Sequence, residues 1–149
     1  MKLPAAFPPL WFLANLGLAL WVRHQVPTPL ALPEAHRILG QTLVWMGAIW
    51  ALNAMVAFRR HRTTVIPFRR PDRLIRTGPF RWSRNPIYLG EAVILAGACL
   101  KFGHALPWLS LPLFVAGTTR FVIKREEITL RAQFGDLYTA YCRQTRRWL

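Results

Sequence analysis

The sequence predicts an all-α integral membrane protein with about four transmembrane helices, the last two forming a hairpin. Charge segregation is the first sign of this. The 149 residues are 53% hydrophobic yet carry 20 Lys and Arg against 6 Asp and Glu. A soluble domain would disperse those charges, whereas residues 3–22 and 38–58 hold none. Length is the second sign, because about 20 residues at a rise of about 1.5 Å each cross a hydrocarbon core. The third is the stretch 85–119, which carries one acid, Glu91, one lysine, Lys101, and one histidine, His104. Gly103, His104 and Pro107 there mark a turn between two further spans. A chain this small could hardly bury four such helices as the core of a soluble protein.

Taken in order, the first span covers about residues 5–22. A single Lys precedes it, its apolar run exceeds a typical signal core, and Pro8 and Pro9 sit near its start, so it reads as a retained helix. An outer loop follows, about 23–37, ordered by Pro27, Pro29 and Pro33. The second span, about 38–58, carries Trp45 and Trp50 as interfacial anchors and Asn53 as a partner for a neighbouring helix. Residues 59–84 form a loop of 26 residues, too long for a mere connector. Its mixture of apolar and basic residues, Thr64 to Phe68 and then Leu74 to Arg81, suits a segment that folds back over the membrane mouth. A solvated basic loop that only enforces topology is the plainer reading. The third and fourth spans cover about 86–102 and 105–123. A cytoplasmic helix, about 124–142, ends the single domain 1–149. Its apolar stripe of Ile123, Leu130, Phe134, Leu137 and Tyr141 includes Glu127, with Gly135 as a break or kink.

With the N-terminus inside, 17 basic residues fall on the inner side and three, Arg23, Arg37 and Lys101, outside. The positive-inside bias then puts both termini in the cytoplasm, as expected for a bacterial inner membrane. A net charge of +14 suggests nucleic acid first. The basic residues hug membrane ends, however, and no helix-turn-helix or zinc pattern accompanies them, so anionic lipid headgroups are the expected partner and nucleic acid is not. Cys99 and Cys142 fall in different compartments, and no metal-ligand spacing exists.

The chemistry concentrates where the basic loop enters the third span, at Arg84-Asn85-Pro86-Ile87-Tyr88-Leu89-Gly90. Asn is a good N-cap and Pro is favoured at the first helical position. The free N–H groups of such a helix start suit an anionic ligand group. Glu126 and Glu127 return to the same interface after the hairpin and suit a cationic group; salt bridges to Lys124 and Arg131 are their structural alternative. Phe80 and Tyr88 add aromatic surface for a cation or a base. A ligand with a carboxylate, an ammonium, a cationic centre and an aromatic base fits all of these, and S-adenosylmethionine has all four. Glu91, one turn inside the third span, is costly there and faces either an acceptor or a structural partner such as Asn53 or a loop Arg.

These motifs resemble the isoprenylcysteine carboxyl methyltransferase and phospholipid methyltransferase group of integral membrane enzymes. The signature is an Arg-His-Pro-x-Tyr-x-Gly element, a membrane hairpin, a Glu-Glu pair and a Phe-Gly-x-x-Tyr-x-x-Tyr tail, matched here by residues 84–90, 126–127 and 134–141. Leu74 to Phe80 is similar to the loop of that group, and the resemblance covers about residues 63–149. It implies S-adenosylmethionine contacts at Arg73, Leu74, Ile75, Phe80, Asn85, Pro86, Ile87, Tyr88 and Glu126. It also implies a lipophilic or lipidated acceptor entering between the spans, and a pocket-closing role for Arg147. Asn85 stands where eukaryotic members have His. Asn cannot act as a base near neutral pH, which leans the expectation towards a carboxylate acceptor, since a carboxylate needs no deprotonation. Two rival readings stand beside this one. A membrane reductase of the steroid-reductase kind has a similar element with Glu after the Gly, as at Glu91, and would bind NADPH. A non-catalytic protein would use the Arg loop to dock lipid or a partner.

Overall fold

The computed structural model describes residues 7–25, 33–61 and 72–149. Helix occupies 83% of these residues, and none of them is in a strand. Helix α1 spans Phe7–Gln25 and α2 spans Ala35–Arg60. A 3₁₀ turn at Gly78–Arg81 leads to α3, Pro86–Phe102. After a second 3₁₀ turn, Leu106–Leu109, the chain winds as α4, Ser110–Gly117, then as a π-helix, Thr118–Ile123, and then as α5, Lys124–Gln144. The stretches 35–60 and 106–144 are long and apolar enough to cross a membrane by length and composition.

Observed bounds depart from the expected ones in physically legible ways. Helix α2 begins three residues early, taking in His36 and Arg37, and α1 runs three residues past the expected end at 22. The fourth span is not one α-helix. It is three windings in succession, and it continues without a break into the polar α5. The hairpin turn is where the sequence puts it: Gly103 ends α3 in the left-handed region, φ 68°, which glycine adopts without a Cβ clash. Pro27, Pro29 and Thr64 to Phe68 lie outside the described residues.

Helices α2 and α3 pack through glycine. A Cβ on Gly40 would lie 2.7 Å from the Gly97 carbonyl oxygen, and one on Gly47 would lie 2.6 Å from that of Gly90. Cβ atoms on Gly90 and Gly97 would meet Gly47 and Gly40 as closely in return. Both helices repeat glycine at a seven-residue interval, and the antiparallel pair brings the two repeats into register. This is the small-residue packing of helices in lipid, where close backbone approach stands in for the hydrophobic effect. The large side chains of α2 point the other way: Ile38 is 71% exposed and Trp45 62%. Asn53, expected to bond a neighbouring helix, is exposed as well and donates to Ile49 O of its own helix at 2.9 Å. On the other flank, α1 lies against α4. The Trp11 ring covers Gly117, and a buried cluster of Ala19, Leu95, Cys99 and Phe114 fills the space between them.

Candidate functional site

Four segments converge at one end of the bundle: the loop 72–85, the start of α3, the α4–α5 junction and the C-terminal tail. Pro86 opens α3 as its first residue and is fully buried. The expected side-chain cap is not made. Asn85 Nδ2 donates instead to the carbonyl of Arg147 at 2.9 Å, and no side-chain hydrogen bond closes the α3 N-terminus. Its backbone φ of −130° and ψ of 58° turn the carboxamide away from the helix, towards the passing tail.

The tail is laced along the loop by further bonds. Ser83 Oγ donates to Arg147 O at 3.3 Å, Arg84 N to Arg146 O at 3.0 Å, and Thr145 Oγ1 to Arg81 O at 3.3 Å. Beyond these, Trp148 Nε1 donates to Thr119 Oγ1 at 3.2 Å, inside the π-helix. Tyr141 OH donates to the Phe80 carbonyl at 2.5 Å, and burial pushes its phenol well above the ordinary tyrosine range.

The two acids diverge completely. Glu127 is buried and its carboxylate is gripped by Arg147 through Nε at 2.9 Å and Nη2 at 2.8 Å, a bidentate pair. Arg84 Nη1 adds an ion pair at 3.2 Å and also donates to Tyr138 OH and to Cys142 Sγ. Burial alone would raise the Glu127 pKa, but the Arg147 hydrogen bonds and the Arg84 charge outweigh it and hold the carboxyl below its ordinary value. The salt-bridge reading therefore holds for Glu127, with partners other than the expected Lys124 and Arg131. Glu126 instead takes a hydrogen bond from Tyr88 OH at 3.2 Å, and no ion pair among the described residues. Burial pushes its pKa up to about 7, the Tyr88 hydrogen bond offsetting only part of that rise.

The remaining expected residues take distinct places. Arg73 is exposed and Leu74 half-buried on the loop. Ile75 and Phe80 are buried with Ala54 and Ala57 of α2, and the Phe80 ring meets Phe58 edge-on at 5.2 Å. Phe80 thus seats the loop on α2. Ile87 is half-buried, and Tyr88 packs on Val122 and Ile123. The buried Oε2 of Glu91 has no hydrogen-bond partner among the described residues, Asn53 and the described loop arginines included. Cys99 and Cys142 are free thiols, and no metal-binding cluster exists among the described residues. A cavity of about 310 Å³ lined by Leu18, Val22 and Leu109 lies near the other end of α4, away from Glu126.

Sequence reasoning did not single out Ser83, Arg84 as an ion-pair centre, or Tyr138 as its partner. The Arg84 side chain is 11% exposed, and a basic residue directly before an Asn-Pro helix start was the available signal. The π-helix was equally silent in sequence, although such windings recur at functional sites. Here it precedes the two acids and sets the face each one presents.

The fold and site are those of a helical bundle with membrane-type glycine packing and an acid–arginine cluster at one helix end. The sequence profile of the phospholipid methyltransferase family matches residues 35–137. The chain belongs to that family, which makes it a membrane methyltransferase in class and implies a methyl donor. An uncharacterized protein of Haemophilus influenzae is 40% identical over 63 residues, which are 42% of this chain and the whole of that protein.

Proposed function

We infer that the protein transfers a methyl group from S-adenosylmethionine to a lipophilic acceptor held in the membrane. The observation that carries this is Glu126, an acid free of ion pairs among the described residues and joined to Tyr88, two residues past the uncapped N-terminus of α3. That helix end suits the donor's carboxylate, and Glu126 its ammonium. Asn85, Pro86, Ile87 and Tyr88 form the turn between the two, Arg73 and Leu74 precede it on the loop, and Ile75 and Phe80 anchor that loop to α2. Glu127 and Arg147 act indirectly, by fixing the tail across the same turn. The donor would supply an electrophilic methyl carbon on a sulfonium, and alignment with the acceptor would provide much of the rate.

The same reading takes α1 to α4 as four spans in a bacterial inner membrane, with both termini cytoplasmic and anionic headgroups around the basic loop. Charge asymmetry, the two qualifying helical stretches and the outward apolar face of α2 support it. The motifs at 84–90 and 134–141 lean towards the isoprenylcysteine methyltransferase branch. Neither the reductase nor the non-catalytic reading is better supported. Calorimetry on the detergent-purified protein tests the choice. Saturable binding of S-adenosylmethionine, with none of NADPH, is the expected result, and the reverse pattern overturns the inference.

A further inference from the structure

Asn85 stands where a cap is expected and does not cap. An Asn before a helix-opening Pro ordinarily turns its side chain back onto the first free N–H groups. Here Asn85 Nδ2 donates to the Arg147 carbonyl at 2.9 Å, 62 residues away, and no side-chain bond reaches the α3 start. The same carbonyl accepts from Ser83 Oγ at 3.3 Å, and that oxygen accepts from Asn85 N at 3.1 Å. Residues 83, 85 and 147 thus close a ring of three hydrogen bonds around Ser83, which is fully buried. The acceptor carbonyl is held from its own side as well. Arg84 N donates to Arg146 O at 3.0 Å, and the Arg147 guanidinium grips Glu127. Trp148 packs against the cluster of Tyr88, Val122 and Ile123 while its indole donates to Thr119 Oγ1.

A carboxamide is one planar group, so tying its nitrogen to the tail also fixes its oxygen, which makes no bond to the α3 N–H groups. We propose that Asn85 is a positioning residue that acts through the tail: the Arg147 carbonyl withdraws its side chain from the α3 start, and the N–H groups there stay open to the carboxylate of the methyl donor. This rests on the methyltransferase reading and deepens it. Residue 85 then needs an N–H to give, and neither a cap nor a base. The sequence-based leaning towards a carboxylate acceptor followed from Asn85 having no basic group. A side chain turned to the tail says nothing about the acceptor.

The test titrates full-length protein in phosphatidylcholine nanodiscs with S-adenosylmethionine and with its decarboxylated analogue, which keeps the amine and the sulfonium. Asn85→Asp cannot donate to Arg147 O and is a good cap. It should bind S-adenosylmethionine roughly 10- to 100-fold more weakly, the worth of hydrogen bonds to a charged group, and should bind the analogue no more weakly than wild type does. Asn85→His regains an N–H donor and should bind both ligands as wild type does. Hydrogen exchange at the Arg84 amide, which donates to Arg146 O, should quicken in Asn85→Asp and stay slow in Asn85→His. Asn85→Ala and Glu127→Gln, which loosens the same tail, should each weaken S-adenosylmethionine binding. The double variant should be no weaker than the worse single one, because both changes act through the tail. Additive losses would put the Asn85 side chain on the donor itself, and equal losses for the two ligands in Asn85→Asp would confine it to the fold; either overturns the proposal. Wild type that fails to bind S-adenosylmethionine overturns the underlying methyltransferase reading, and this proposal with it.

Discussion

Glu126 and Glu127 are adjacent in sequence, yet the site gives them opposite electrostatics. Arg147 and Arg84 keep Glu127 ionised, so its contribution to stability is present above the ordinary carboxylate value and is lost as pH falls through its lower folded value. For Glu126 the sign reverses. Its folded pKa of about 7 lies above the ordinary value, so the folded state holds the extra proton between the two and stability declines as pH rises across that window. That proton bears directly on binding. An ammonium needs the carboxylate, so affinity for S-adenosylmethionine should weaken by up to about tenfold for each pH unit below 7. It should weaken again above about 8, where an α-amino group loses its proton. Calorimetry across pH 5–9 should therefore show tightest binding near 7–8. Glu126→Gln should abolish the acid limb and weaken binding roughly 10- to 100-fold, the worth of a charge-assisted hydrogen bond. An acid limb unchanged in that variant would remove Glu126 from the donor site. At this scale the sequence was informative about residue types and blind to partners. Asn85-Pro86 and the acidic pair were visible, but Asn85 meets a carbonyl 62 residues away, and no local pattern encodes that.

Among the elements, the α2–α3 pair carries the fold, and its glycines separate packing from helix propensity. Gly47→Ala puts a Cβ 2.6 Å from the Gly90 carbonyl oxygen, whereas a Cβ on Gly17 meets nothing within 4 Å. Both changes raise helix propensity by a similar amount, roughly 0.5–1 kcal/mol. Gly47→Ala should nonetheless lose stability on balance, by about 1–3 kcal/mol for overpacking, while Gly17→Ala should be neutral or slightly stabilising. Thermal unfolding of the two variants in the same detergent decides it, and equal melting temperatures would mean that the helices do not approach so closely. The paired seven-residue spacing, 40 with 47 and 90 with 97, was present in the sequence and would have identified this contact. The phase of α5 was less accessible. Leu137 belongs to the expected stripe but is 46% exposed, while Tyr138 is 1% exposed. Gly135 explains the change: with φ 48° and ψ −121° it interrupts the helix, and the second half resumes rotated. Its place was foreseen as a kink, but a period of 3.6 residues cannot give the rotation across one.

For the molecule as a whole, charge and shape make one argument about orientation. The glycine faces turn inward, and α2 presents Ile38, Trp45, Met46, Ile49 and Leu52 outward, a continuous apolar surface that suits hydrocarbon better than water. The polar site lies where the loop, α5 and the tail meet, and 17 of the 20 Lys and Arg belong to that side under the proposed topology. Only Arg23, Arg37 and Lys101 fall on the other; Arg23 stands over the Phe102 ring at 5.0 Å, and Lys101 donates to Gln41 at 2.6 Å. An inverted molecule would carry the basic loop across the membrane against the positive-inside bias, and would remove the site from a water-soluble donor made in the cytoplasm. Reporter fusions read this directly. Green fluorescent protein joined after Leu149 should fluoresce, and alkaline phosphatase joined there should be inactive. The same pair joined after Gly103, at the hairpin turn, should give the opposite result. Phosphatase activity at Leu149 would invert the topology and place the Glu126 site outside the cell, where a cytoplasmic methyl donor could not reach it.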